Sequence, residues 1–226
     1  MRYKHAILFL GLLLLCGCNP NTSQRDNDAT VVLKAPPEDP DSSKYYIFYL
    51  HGRIVEGSNG KPVSSEYGTY EYYKIVQEFA QKGFVTISEI REKDADIKLY
   101  SKKVVKWIQY LLNNNVPAKQ ITVVGASKGG MIAAEVSSNL KNRDLKFVIL
   151  AGLYESHFKD GNIELHGDIL SIYDKSDKFK SSPELFFTSK GVEKSESIVT
   201  QTGLGHGLLY TPLKIWVDEV IKWSGK

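Results

Sequence analysis

Val124-Gly125-Ala126-Ser127-Lys128-Gly129-Gly130 is the stretch that decides how this chain is read. It carries a G-x-S-x-G string between a short apolar run at 121–124 and a stretch with helical character. With glycine and serine each near roughly 7% of residues, a chain of this length holds about 0.08 such strings by chance, so position must add to the match. A serine on a tight strand-to-helix turn is held in a strained conformation with its hydroxyl exposed above the strand ends. Gly125 and Gly129 stand two residues to either side because strand and helix pass there too closely for a β-carbon. The plainer reading is a glycine-rich turn that lets a helix pack on a sheet, a phosphate cradle included.

Working outward, short apolar runs at Tyr46–Leu50, 84–90, 121–124, 147–151, 169–173 and 197–200 alternate with helical patterns. Most runs are near-continuous and rich in β-branched or aromatic residues, as parallel strands covered on both faces require. Val104, Ile108, Leu111 and Leu112 share one helical face; Leu213, Trp216, Val217, Val220 and Ile221 form another, with Pro212 expected in its first turn. The alternation predicts an α/β domain over 44–226, a mainly parallel sheet of about six strands with helices on both faces.

A serine hydroxyl needs a base, and the base needs an orienting acid. Downstream, Asp174-Lys175-Ser176-Asp177 follows the run at 169–173, and Gly203-Leu204-Gly205-His206-Gly207 follows the last one. Both loops open at the carboxyl edge of the sheet with Ser127. In motif, chain order and strand context the chain from about Tyr45 onward resembles the α/β-hydrolase family. That resemblance implies a three-layer fold with Ser127 as nucleophile and His206 as general base and then acid. It places the acid at Asp177, several residues past its strand, with Asp174 as the other candidate; the one not used caps the turn. His157 and His166 precede the acid and read as loop residues. The Lys128 N–H is expected to be one oxyanion donor. The other comes from Leu50-His51-Gly52-Arg53, which resembles the family's His-Gly motif, with the Arg53 N–H as donor, Gly52 beside it and His51 steadying the loop or packing at the strand end. The Lys128 side chain reads either as a solvated helix-start residue or as a contact for an acidic substrate group.

Between 152 and 167 only sixteen residues are available for a lid, which points to an open cleft and short or externally presented acyl groups. Tyr67, Tyr70, Tyr72 and Tyr73 read as the opening of the first crossover helix, either core or the lining of an acyl pocket. The expected activity is hydrolysis of a carboxylic ester or thioester through an acyl-enzyme. The rivals are a peptidase or acyltransferase on the same triad and a non-catalytic binding lipoprotein with this fold.

The amino terminus reads as an address. Arg2 and Lys4 precede about ten apolar residues, 6–15, too few for a bilayer core that needs roughly twenty. Leu15-Cys16-Gly17-Cys18 then resembles the lipobox of bacterial lipoproteins. This implies a signal peptide at 1–17, an acylated Cys18 carrying chains such as palmitate, and a polar, proline-bearing tether over 18–43. Asn19 rather than aspartate after that cysteine implies the outer membrane, facing the periplasm or the cell surface. The 226 residues contain two cysteines, both in this segment, so the domain has neither a disulfide framework nor a thiolate metal site. A formal charge of +3, two of it from Arg2 and Lys4, gives no field to gather nucleic acid. No cofactor or metal is implied, and oligomeric state is left open.

Overall fold

The computed structural model describes residues 32–157, 163–179 and 181–226. The expected signal peptide, Cys18 and the first part of the expected tether lie outside the described residues. In chain order the elements are β1 (Val32–Leu33), β2 (Tyr46–Leu50), β3 (Val63–Ser64), β4 (Gly68–Thr69), α1 (Tyr72–Gln81), β5 (Val85–Ile87) and α2 (Ile97–Asn113). Then follow β6 (Ile121–Ala126), α3 (Lys128–Leu140), β7 (Lys146–Leu150), β8 (His166–Asp174), α4 (Glu184–Phe187), β9 (Gly191–Thr200) and α5 (Lys214–Ser224).

Seven strands make one sheet in the order β1-β5-β2-β6-β7-β8-β9, every neighbouring pair parallel; β3 and β4 form a separate antiparallel hairpin. The alternation of side chains along each strand divides the core in two. Ile47 and Tyr49 of β2, with Val124, Val148 and Leu170, face α1 and α5 through Ile75, Phe79, Trp216 and Val220. Tyr46, Phe48 and Leu50, with Val123, Phe147 and Ile169, face α2 and α3 through Val104, Ile108, Ile132 and Val136. Both faces are therefore dry, which is why these strands read as continuous apolar runs.

The chain leaves β2 toward β5 and the β1 edge, then returns past it to β6 and onward to β9. The carboxyl ends of β2 and β6 are adjacent, with Leu50 opposite Gly125, and their connections run to opposite sides, which opens a crevice there.

Several boundaries differ from the expected ones. β8 and β9 extend to nine and ten residues. β9 is a sheet edge whose exposed Glu193, Lys194 and Glu196 break the apolar pattern while the backbone still pairs with β8. From Val32 the expected tether is already part of the domain: β1 pairs with β5, and the Glu38 carbonyl accepts from the Tyr110 hydroxyl at 2.7 Å. Pro212 precedes the α5 cap, Leu213, and lies outside the helix. His166 begins β8 instead of lying in a loop, its ring filling the space beside Gly191. Among the described residues no helix is long and apolar enough to cross a membrane.

Candidate active site

Ser127 caps α3 with φ 53° and ψ −117°, a conformation that side-chain-bearing residues rarely adopt. Its N–H donates to the Leu150 carbonyl at 2.8 Å, and its carbonyl accepts from Gly130 at 2.8 Å. The flanking glycines are required by contact. A β-carbon on Gly129 would lie 1.8 Å from the Leu50 carbonyl oxygen, and one on Gly125 would lie 2.3 Å from the Gly129 oxygen. Strand and helix are thus pressed together as the sequence reading expected.

The turns after β8 and β9 bring the acid and the histidine together. His206 Nδ1 lies 2.7 Å from Asp177 Oδ2, with both side chains almost fully buried. Because the carboxylate can only accept, Nδ1 carries the proton and Nε2 is left as an acceptor. Asp174 is occupied otherwise. Its two oxygens accept from the N–H and hydroxyl of Ser176, the N–H and hydroxyl of Thr202, and the hydroxyl of Thr200 at 2.5–3.0 Å. Burial alone would raise its pKa, but these donors outweigh it and hold the carboxyl well below its ordinary range. Asp174 therefore ties the two turns together, and Asp177 faces the histidine.

Ser127 and His206 line one cleft of about 370 Å³ together with Gly52, Arg53 and Ile54 from the loop after β2. A β-carbon on Gly52 would sit 3.8 Å from Ser127 Cβ, so this loop lies directly against the serine. The Lys128 N–H belongs to the first turn of α3, where backbone donors have no partner within the helix. One wall of the cleft is Tyr67, Tyr70, Leu209 and Tyr210, and Phe179 stacks edge-on against His206 at 4.7 Å. Of the four tyrosines predicted as one cluster, Tyr67 and Tyr70 precede α1 and line the cleft, Tyr72 is core, and Tyr73 is exposed.

His51 is completely buried and steadies its loop. Nδ1 donates to the Gly52 carbonyl at 2.8 Å and Nε2 accepts from the Arg91 N–H at 3.0 Å. Desolvation, then the Arg91 charge, pushes its pKa down to about 3, so it stays neutral.

The Lys128 side chain is not the solvated helix-start residue that one sequence reading expects; it is buried and paired within the protein. It is 8% exposed and its Nζ lies 2.8 Å from the Glu56 carboxylate, which also accepts from Arg91 Nε at 3.2 Å. Arg91 Nη2 donates to the His51 carbonyl at 2.5 Å. Arg91 Nη1 is buried without a hydrogen-bond partner among the described residues, but the guanidinium lies 5.4 Å from the centre of the Tyr100 ring. Sequence reasoning missed Glu56 and Arg91, whose local surroundings carry no motif, and Tyr154, whose hydroxyl donates to the Ala151 carbonyl and lies against the Ser127 side chain. Burial pushes the Tyr154 hydroxyl up to about 12, so it remains protonated.

By sequence, no family model and no curated protein matches the chain. The fold does match. The α/β hydrolase MGS-M1 from a Medee basin deep-sea metagenome superposes with TM-score 0.56 at 15% identity, over 85% of this chain and 88% of that one. A lipase-esterase related protein from Clostridium acetobutylicum gives 0.55 at 15% identity, over 81% and 96%. The esterase Pf2001 of Pyrococcus furiosus gives 0.53 at 17% identity, over 82% and 86%. The chain has the α/β-hydrolase fold, a parallel seven-stranded sheet covered by helices.

Proposed function

We propose that the protein is a serine hydrolase that cleaves a carboxylic ester or thioester through an acyl-enzyme on Ser127. The observation that carries this reading is the His206–Asp177 hydrogen bond of 2.7 Å in the same cleft as a serine held on a strained turn. Ser127 Oγ attacks the acyl carbon while His206 Nε2 takes its proton, and Asp177 stabilises the imidazolium that forms. The negative oxygen of the tetrahedral intermediate is received by the N–H groups of Lys128 and Arg53. His206 then protonates the leaving group. In the second half it takes a proton from water as the water oxygen bonds to the acyl carbon; the bond from Ser127 Oγ to that carbon then breaks, His206 returns the proton to Oγ, and the acid leaves.

The aromatic wall of Tyr67, Tyr70 and Tyr210 suits a short acyl chain, and the modest cleft volume suits it as well. A panel of chromogenic esters and thioesters of graded length tests this. Turnover is expected at two to four acyl carbons, falling with length, and lost in Ser127→Ala. A steep preference for long chains would reject the short-acyl reading, and turnover undiminished in Ser127→Ala would reject the mechanism.

The reading includes attachment to a bacterial outer membrane by acyl chains on Cys18, supported by the lipobox-like sequence alone. Labelled palmitate should enter the wild-type protein and fail to enter Cys18→Ser when each is expressed in a Gram-negative host.

A further inference from the structure

Three charges are buried beside the cleft, and none of them takes part in the acyl-transfer steps. Glu56, Arg91 and Lys128 have side chains that are 2%, 0% and 8% exposed. Two cations share one carboxylate, so the cluster carries one net positive charge in the interior. Removing ions from water is costly, and such a set is weak as a means of stabilising a fold. Its usefulness lies in what it connects.

Lys128 immediately follows Ser127, and its own N–H is one proposed oxyanion donor. Glu56 ends the turn that begins at Gly52 and contains Arg53, the other proposed donor. The 2.8 Å contact between Lys128 Nζ and Glu56 thus bridges the two segments that supply the donors. Arg91 grips the same turn at both ends. Its N–H donates to His51 Nε2, its Nη2 to the His51 carbonyl, and its carbonyl accepts from the Gly57 N–H at 2.8 Å. Tyr70 adds a contact to the Gly52 backbone and is itself held by Tyr49 at 2.6 Å.

We propose that Glu56, Arg91 and Lys128 are positioning residues that clamp the 51–57 turn to the nucleophile turn and set the spacing of the two oxyanion donors. The proposal rests on the serine-hydrolase reading above. A spacing error of about 1 Å is enough to cost on the order of 10²-fold in rate. Uncoupling the segments therefore acts on the transition state more than on ground-state binding.

The test compares wild type with Lys128→Met, Lys128→Arg and Glu56→Gln, reading ester kinetics, the rate of inactivation by a fluorophosphonate, and amide hydrogen exchange of the 51–57 peptide. Lys128→Met retains the bulk and the backbone N–H but breaks the bridge. The expected result is a fall of about 10- to 100-fold in kcat with KM within about 3-fold, a parallel fall in fluorophosphonate reactivity, and faster exchange at 51–57. Lys128→Arg, which keeps a cation for Glu56, should recover most of the rate and protection; Glu56→Gln should resemble Lys128→Met. Unchanged kcat and exchange in folded Lys128→Met would overturn the proposal, as would a change confined to KM or an Arg variant as impaired as the Met variant. Exchange separates this from the underlying reading. If wild type is inert toward esters and probe while Lys128→Met still loosens 51–57, the clamp stands and the hydrolase reading falls.

Discussion

Gly129→Ala gives the sharpest check on how the nucleophile turn is built. The added β-carbon would lie 1.8 Å from the Leu50 carbonyl oxygen and 2.8 Å from that of His51, both backbone atoms that cannot swing aside. Opening the first contact to 3.0 Å requires α3 and the end of β2 to part by about 1.2 Å. Overpacking of this kind costs about 1–3 kcal/mol, roughly 2–4 °C of Tm for each kcal/mol in a domain of this size. The same movement draws Ser127 and the Lys128 N–H away from the Gly52–Arg53 loop, which predicts a fall in kcat of about 10²-fold. Gly52→Ala is the companion. Its β-carbon meets nothing nearer than 3.8 Å and φ is already −69°, so Tm should hold within about 2 °C. Its methyl nonetheless sits against Ser127 Cβ, and ester turnover should fall. Thermal melts and ester kinetics on both variants distinguish them: the first loses stability and rate, the second rate alone. A Gly129→Ala protein with wild-type Tm and kcat would refute the packing argument.

Other outcomes follow from the same contacts. Asp177→Asn should cut kcat/KM by about 10³- to 10⁴-fold because His206 loses the partner that fixes its proton on Nδ1. Asp174→Asn should act mainly on stability, lowering Tm while leaving kcat within about tenfold, since its carboxylate ties the two turns and does not face the histidine. In Tyr154→Phe, Ser127 loses a neighbouring hydroxyl and is left to His206, so kcat/KM should rise about 2- to 10-fold; a fall beyond tenfold would mean that Tyr154 assists the reaction directly. Acid should weaken the fold through His51, which is neutral when folded down to about pH 3 but protonates near pH 6.5 when unfolded. The unfolded state then binds the extra proton, so stability falls as pH drops through this window, by up to about 1.4 kcal/mol per pH unit from this group. Urea melts from pH 7 to 5 should show a shallower decline in His51→Asn.

The pattern of what was legible has physical causes. Ser127 and its glycines were readable because a strained turn imposes residue types within a few positions, and Gly125 and Gly129 meet backbone where a side chain would clash. His206 and Asp177 are legible from chain order and loop position, with Asp174 as the other candidate; what Asp174 does instead is hidden, because its five donors come from two turns far apart in sequence. Lys128 was misread because its partner, Glu56, lies seventy-two positions earlier and is brought close only by the pairing of β2 with β6. β1 has two residues, too few to carry a periodicity, so its place is fixed by pairing with β5. The full length of β9 was hidden because an edge strand with one solvated face mixes charge into the apolar run.

The central claim is that Ser127 is an activated nucleophile. It is tested most directly by exposing the folded protein to a fluorophosphonate and locating the adduct by intact and peptide mass spectrometry. One phosphonyl group per chain is expected on Ser127, abolished in Ser127→Ala and strongly slowed in His206→Ala. A folded wild-type protein with an open cleft that takes no label, or takes it at another residue, would contradict it.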